Sequence, residues 1–160
     1  MKIDFMDNNL IVFLNRKSVS SVDFSDKDML EDYFKKLFLK LSDDFSIEIF
    51  GSFDIEVFND KFYGSIIVIR KNDDYFDYCD IVDMKISVSK FSGFLYKVDD
   101  FICFDNCNVY SCNGCFYLDP LSADFYDVGV LFECCDIIYG KDVYDIKMLG
   151  TKVNNCLFID

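Results

Sequence analysis

Met29, Leu30, Tyr33, Phe34, Leu37, Phe38 and Leu41 recur at three- and four-residue spacing, and this stripe constrains the fold more than any other feature of the chain. The spacing gathers these residues on one side of a helix, predicted here over residues 26–42. Ser25 precedes Asp26, Lys27 and Asp28, which supplies an N-cap oxygen followed by acids in the first turn. Glu31–Lys35 and Asp32–Lys36 stand four apart on the opposite, wet side, where such pairs add about 0.3 kcal/mol each. A face this apolar has to cover a sheet.

Strand patterns on either side supply that sheet. Residues 2–5 and 10–14 are short apolar strands around Asp7-Asn8-Asn9, a hairpin turn by composition. Ile47, Ile49, Phe53, Ile55 and Val57 point one way if Gly51 and Ser52 absorb a bend, leaving Glu48, Asp54 and Glu56 toward water. Asn59-Asp60-Lys61 turns the chain, and 62–69 returns as a more buried strand containing Ile66-Ile67-Val68-Ile69. The pattern then weakens over Lys71 to Asp83, where aspartates crowd.

Met84, Ile86 and Val88 alternate as a strand, and residues 101–105 fit a short strand or one helical turn. Asn113-Gly114 is the preferred pair for a two-residue type I′ turn. It predicts a hairpin over 108–119 that pairs Cys112 with Cys115, Ser111 with Phe116, Tyr110 with Tyr117, and Val109 with Leu118. Val109, Phe116 and Leu118 then share one face, and Tyr110, Tyr117, Cys112 and Cys115 the other. Ser122 is positioned to cap a second helix over 123–139, stopped by Gly140, and a last strand is expected near 153–159. The expected fold class is α+β, with two small units, each an antiparallel sheet covered by one main helix. The expected boundaries are an N-terminal domain 1–72, an acidic connection 73–83 and a C-terminal domain 84–160.

Composition narrows the function classes. The chain has 29 acidic and 16 basic residues, no histidine and a net charge of −13. The commonest acid–base side chain near neutral pH is therefore missing, and a phosphate backbone would be repelled. Paired acids at Asp43/Asp44, Asp73/Asp74 and Asp99/Asp100 each sit at a polar break, as solvated surface does. There is no phosphate-binding glycine loop before a helix and no serine elbow. No enzyme activity, cofactor, membrane or direct nucleic-acid partner is expected. The opening Met1-Lys2-Ile3-Asp4-Phe5 carries an acid, and no long uncharged apolar run follows, so neither a signal peptide nor a membrane helix is expected. The chain reads as cytoplasmic, with its eight cysteines mostly reduced.

Cys103, Cys107, Cys112 and Cys115 fall close enough together to raise zinc. Cys112 and Cys115 flank a tight turn as opposed strand residues, however, rather than wrapping one ion. Small, buried, inert hydrophobes are the first reading, so no metal is expected; a zinc site and a cross-strand disulfide or redox switch are the alternatives.

Several segments resemble the MecA-like adaptors, the family of the negative regulator of genetic competence in low-GC Gram-positive bacteria. In the first half they are Asn9-Leu10-Ile11-Val12-Phe13, the helix from Leu30-Glu31-Asp32-Tyr33-Phe34 to Leu41, Ile47-Glu48-Ile49 through Ile55-Glu56-Val57, and Gly64-Ser65-Ile66-Ile67-Val68. In the second half, Leu95-Tyr96-Lys97-Val98-Asp99-Asp100-Phe101 resembles the entry into the family's C-terminal domain. Val109 through Leu118 is similar to its central hairpin, and Tyr139-Gly140 with Leu149-Gly150-Thr151-Lys152-Val153 to its closing turn and strand. The connection at 71–83 is shorter than the family's linker, and the helix expected after Asp99-Asp100 is cut to a few residues.

The resemblance implies a non-enzymatic adaptor whose N-terminal domain captures a client regulator and whose C-terminal domain docks on a Clp-type AAA+ ATPase. Asp99, Asp100, Tyr110 and Tyr117 are the candidate protein-binding residues. The alternative function is an acidic nucleic-acid mimic that inhibits a nucleic-acid-binding protein.

Overall fold

A computed structural model of the chain describes residues 1–6, 9–47, 49, 51–60, 64–72, 82–99, 107–121, 131 and 134–153. The fold is α+β, with two sheet-containing units, each associated with a helix. Contacts group Met1–Val57 with Gly64–Ser89 as the first unit, and Phe58–Tyr63 with Lys90–Asp160 as the second.

In the first unit, β1 (Lys2–Met6) and β2 (Asn9–Asn15) lead through a single helical turn, α1 (Arg16–Val19), into α2 (Lys27–Phe45). β3 (Ser52–Asp60), β4 (Gly64–Lys71) and β5 (Asp83–Val88) complete a five-stranded sheet of order β1-β2-β4-β3-β5. The predicted stripe is the buried face of α2: Leu30, Phe34, Leu37, Phe38 and Leu41 pack with Leu10, Val12 and Leu14 of β2, Phe53, Ile55 and Val57 of β3, and Ile67 and Ile69 of β4. Each such side chain contributes about 1.5–3 kcal/mol by leaving water.

The cap of α2 is one residue later than the sequence suggests. Asp26 is the N-cap, its Oδ1 accepting from the Met29 N–H at 3.1 Å, while the Ser25 hydroxyl donates to Asp23 Oδ1 at 2.6 Å. The surface pairs shift too, to Lys27–Glu31 at 3.7 Å and Lys35–Asp32 at 3.9 Å. Such exposed pairs are worth little.

Two expectations about the first unit are corrected. Its sheet is not wholly antiparallel, since β5 runs parallel to β3 with Phe53 opposite Met84 and Ile55 opposite Ile86. The strand expected to open the C-terminal domain at residue 84 is therefore the edge of the first sheet, and the unit runs on to Ser89. Alternation tells which face a strand buries, not which sheet it joins. The remainder of the predicted connection, 73–81, lies outside the described residues.

The second unit carries β6 (Leu95–Val98), β7 (Cys107–Cys112), β8 (Cys115–Pro120), β9 (Asp136–Ile138), α3 (Lys141–Leu149) and β10 (Thr151–Val153). Its sheet has the order β10-β7-β8-β6-β9, with every pair antiparallel. The helix predicted over 123–139 is corrected at its end: Ile137 and Ile138, β-branched residues suited to strands, pair with β6. Gly140, expected to stop that helix, instead precedes α3 with φ 70°. Asp142 in the first turn and Lys147 in the last complement the α3 dipole. β10 covers the start of the predicted closing strand. The segments 101–105, 122–130 and 154–160 lie outside the described residues. Among the described residues, no helix is long and apolar enough to cross a membrane.

The cap assignment is testable by equilibrium urea unfolding. Asp26→Ala is expected to lower stability by about 1 kcal/mol, and Ser25→Ala by clearly less; the reverse order would restore the cap to Ser25.

Candidate protein-binding surface

The Asn113-Gly114 turn sets where the candidate residues stand. Both have positive φ, 51° and 78°, as a type I′ turn requires. The register outward is Cys112 with Cys115, Ser111 with Phe116, Tyr110 with Tyr117, and Val109 with Leu118, as the sequence predicts. Val109 and Leu118 are buried, while Tyr110, Tyr117, Cys112 and Cys115, on the other face, are half-buried.

α3 runs beside that second face. Lys147 Nζ reaches Asp119 Oδ2 at 2.7 Å, and Asp119, two residues from Tyr117, shares its face. Tyr117 is flanked in the sheet by Tyr110 on β7 and Lys97 on β6. The tyrosine pair is thus placed next to a helix rather than standing as an open platform. Asp99 is exposed just beyond β6, one residue past Val98, whose partner is Phe116 near the hairpin tip. Asp100 lies outside the described residues.

The environment of Tyr117 pushes its phenol pKa up. Partial burial is the largest cause, followed by the negative charge of ionised Cys115 and Cys112, a hydrogen bond to Cys115, and Asp142. The Cys135 thiol is pushed up as well, by burial first and then by Cys134 and Asp136.

The structure adds a surface that the sequence pattern did not give. Val143 is the buried residue of α3, whereas Tyr144, Met148 and Leu149 are 53%, 66% and 80% exposed. The Phe91 ring lies 6.2 Å from that of Tyr144. Around them are Asp142 and the Lys141–Asp145 pair at 3.9 Å. Two local signals could have found this helix: that same i,i+4 pair, and Val143 and Ile146 at three-residue spacing directly after Gly140.

Among the described residues, no group of three or more His, Cys, Asp or Glu is arranged to hold a metal ion. The β7–β8 hairpin explains why Cys107 and Cys112 do not share one. They stand at opposite ends of β7, about 16 Å apart at the usual rise per residue, whereas two sulfurs on one zinc lie within about 4 Å. Cys103 lies outside the described residues.

The raised Tyr117 pKa fixes a sign. A phenol held neutral in the folded state contributes stability that is present below the ordinary tyrosine pKa of about 10 and lost as pH rises through the higher folded value. Tyr117→Phe is therefore expected to make unfolding stability fall less steeply above pH ~10 in pH-resolved urea titrations. Identical slopes for the variant and the parent would contradict this placement. Comparison with protein-family models, curated protein sequences and solved structures found no match.

Proposed function

We propose that this chain is a cytoplasmic, non-enzymatic adaptor that holds a client regulator through its first unit and docks on a Clp-type AAA+ ATPase through its second. The observation that carries the reading is the solvent face of α3. A helix of nine residues exposes Tyr144, Met148 and Leu149 while burying one side chain, Val143. An apolar centre rimmed by charged groups is how protein-binding surfaces are built, and tyrosine is a frequent anchor in them. A net charge of −13 favours a partner whose own rim is basic. The division into two units, each with its own sheet and helix, suits a protein that holds one partner with each.

The acidic-mimic alternative needs carboxylates gathered on one face at phosphate-like spacing. On α2 the exposed Lys35, Lys36 and Lys40 interleave with Asp32, Asp43 and Asp44, so that helix does not favour it.

Affinity capture from a low-GC Gram-positive lysate tests the proposal, using the tagged chain, a charge-matched control, and a Tyr144→Glu/Met148→Glu variant. A Clp-type ATPase is expected to be enriched by the parent chain and reduced roughly tenfold or more by the variant, the loss of one good anchor or more. Enrichment of neither such an ATPase nor a transcriptional regulator over the control would sink the reading.

A further inference from the structure

We propose that Cys112 and Cys115 form a reversible redox pair that closes into a cross-strand disulfide at the tip of the β7–β8 hairpin. The two residues are direct partners in the ladder. Such partners in an antiparallel pair sit about 4.5 or 5.5 Å apart at Cα, depending on the kind of pair. Both values fall inside the roughly 4.4–6.8 Å that a disulfide spans. The pair is free and half-buried, so reagents can reach it, whereas Cys107 is buried at the far end of β7. The rigid two-residue turn holds the thiols together without any search by the chain.

The proximity has a second mark. Tyr117 shares their face, and both sulfurs are among the neighbours that, after burial, push its phenol pKa up. The other near neighbours among the described cysteines, Cys134 and Cys135, lie outside the hairpin. The raised pKa of Cys135 leaves less of it as the reactive thiolate.

The oxidant is hydrogen peroxide. One thiolate attacks the O–O bond, becoming a sulfenic acid and releasing hydroxide. The second sulfur then attacks that sulfenic sulfur, forming the S–S bond and expelling the second oxygen as hydroxide. Two thiols and one peroxide thus become one disulfide and two waters, the sulfurs losing two electrons that the peroxide takes up. A dithiol reverses the step by exchange, as suits a compartment in which lasting disulfides are rare.

Closure reaches beyond the hairpin. A Cβ placed on Gly150 would lie 3.5 Å from Cys112 Cβ, so the backbone joining α3 to β10 packs directly on this cysteine. Gly150 N–H donates to Ile146 O at 2.8 Å, and Thr151 pairs with Ser111. Drawing Cys112 toward Cys115 therefore bears on the C-terminal end of α3, where Met148 and Leu149 are exposed. This inference stands independently of what α3 binds.

The experiment uses the full reduced chain and one equivalent of hydrogen peroxide, followed by thiol titration, peptide mapping and amide hydrogen exchange. Of eight thiols, two are expected to disappear, mapping to Cys112 and Cys115 and returning with dithiothreitol. Exchange at Thr151–Val153 is expected to change on closure. Cys112→Ser and Cys115→Ser should each abolish the paired loss. Retention of both thiols, their separate oxidation to sulfinic acids, or an unchanged two-thiol loss in Cys112→Ser would overturn the proposal.

Discussion

The first unit depends on the burial of one α2 face against β2, β3 and β4. Neither partner is self-sufficient. The 19-residue helix draws most of its stability from the surface that its apolar face covers, and a sheet presenting Leu10, Val12, Leu14, Ile67 and Ile69 would be left with a large exposed apolar face. Packed together, they place Phe34, Leu41, Val12 and Ile67 fully out of water. α1, the Asp26 cap and the edge strand β5, half-buried at Met84 and Ile86, are arranged around that contact.

The same contact raises a question of register. Residues Leu10–Leu14 of β2 and Ile66–Ile69 of β4 are buried at every position, so hydrophobic alternation does not by itself choose which side faces α2. The pairing of Asn15 with Gly64 sets how the two strands are aligned with each other. Gly64 has φ 121°, and a Cβ there would collide with the backbone of Leu14 and Asn15. With no other residue tolerated at that crossing, the two strands are pinned where Val12 meets Ile67 and Ile11 meets Val68.

Elements whose signals are local were legible from sequence. The α2 stripe and the Asn113-Gly114 turn each encode geometry within a few residues, and the turn placed Tyr110, Tyr117, Cys112 and Cys115 correctly relative to one another. The sheet joined by β5 was not legible, because Met84 and Ile86 reveal a buried face and say nothing of its neighbour. α3 was missed because of the side chains it exposes. Tyr144, Met148 and Leu149 are apolar yet face solvent, which blurs the helical period, and Gly140 serves equally as a stop or a start. The residues that spoil the amphipathic pattern are those that form the candidate surface. Helix and hairpin then act together: the turn holds two thiols opposite each other, and the α3–β10 junction rests on one of them.

α2 is held chiefly by its buried face, with the cap and the surface pairs as smaller contributions. Comparing Phe34→Ala with Leu39→Ala by equilibrium urea unfolding tests this on one helix. Phe34 is 0% exposed and Leu39 66%. The account predicts a loss of about 3–5 kcal/mol for Phe34→Ala and within about 0.5 kcal/mol of no change for Leu39→Ala. Comparable losses at the two positions would contradict it.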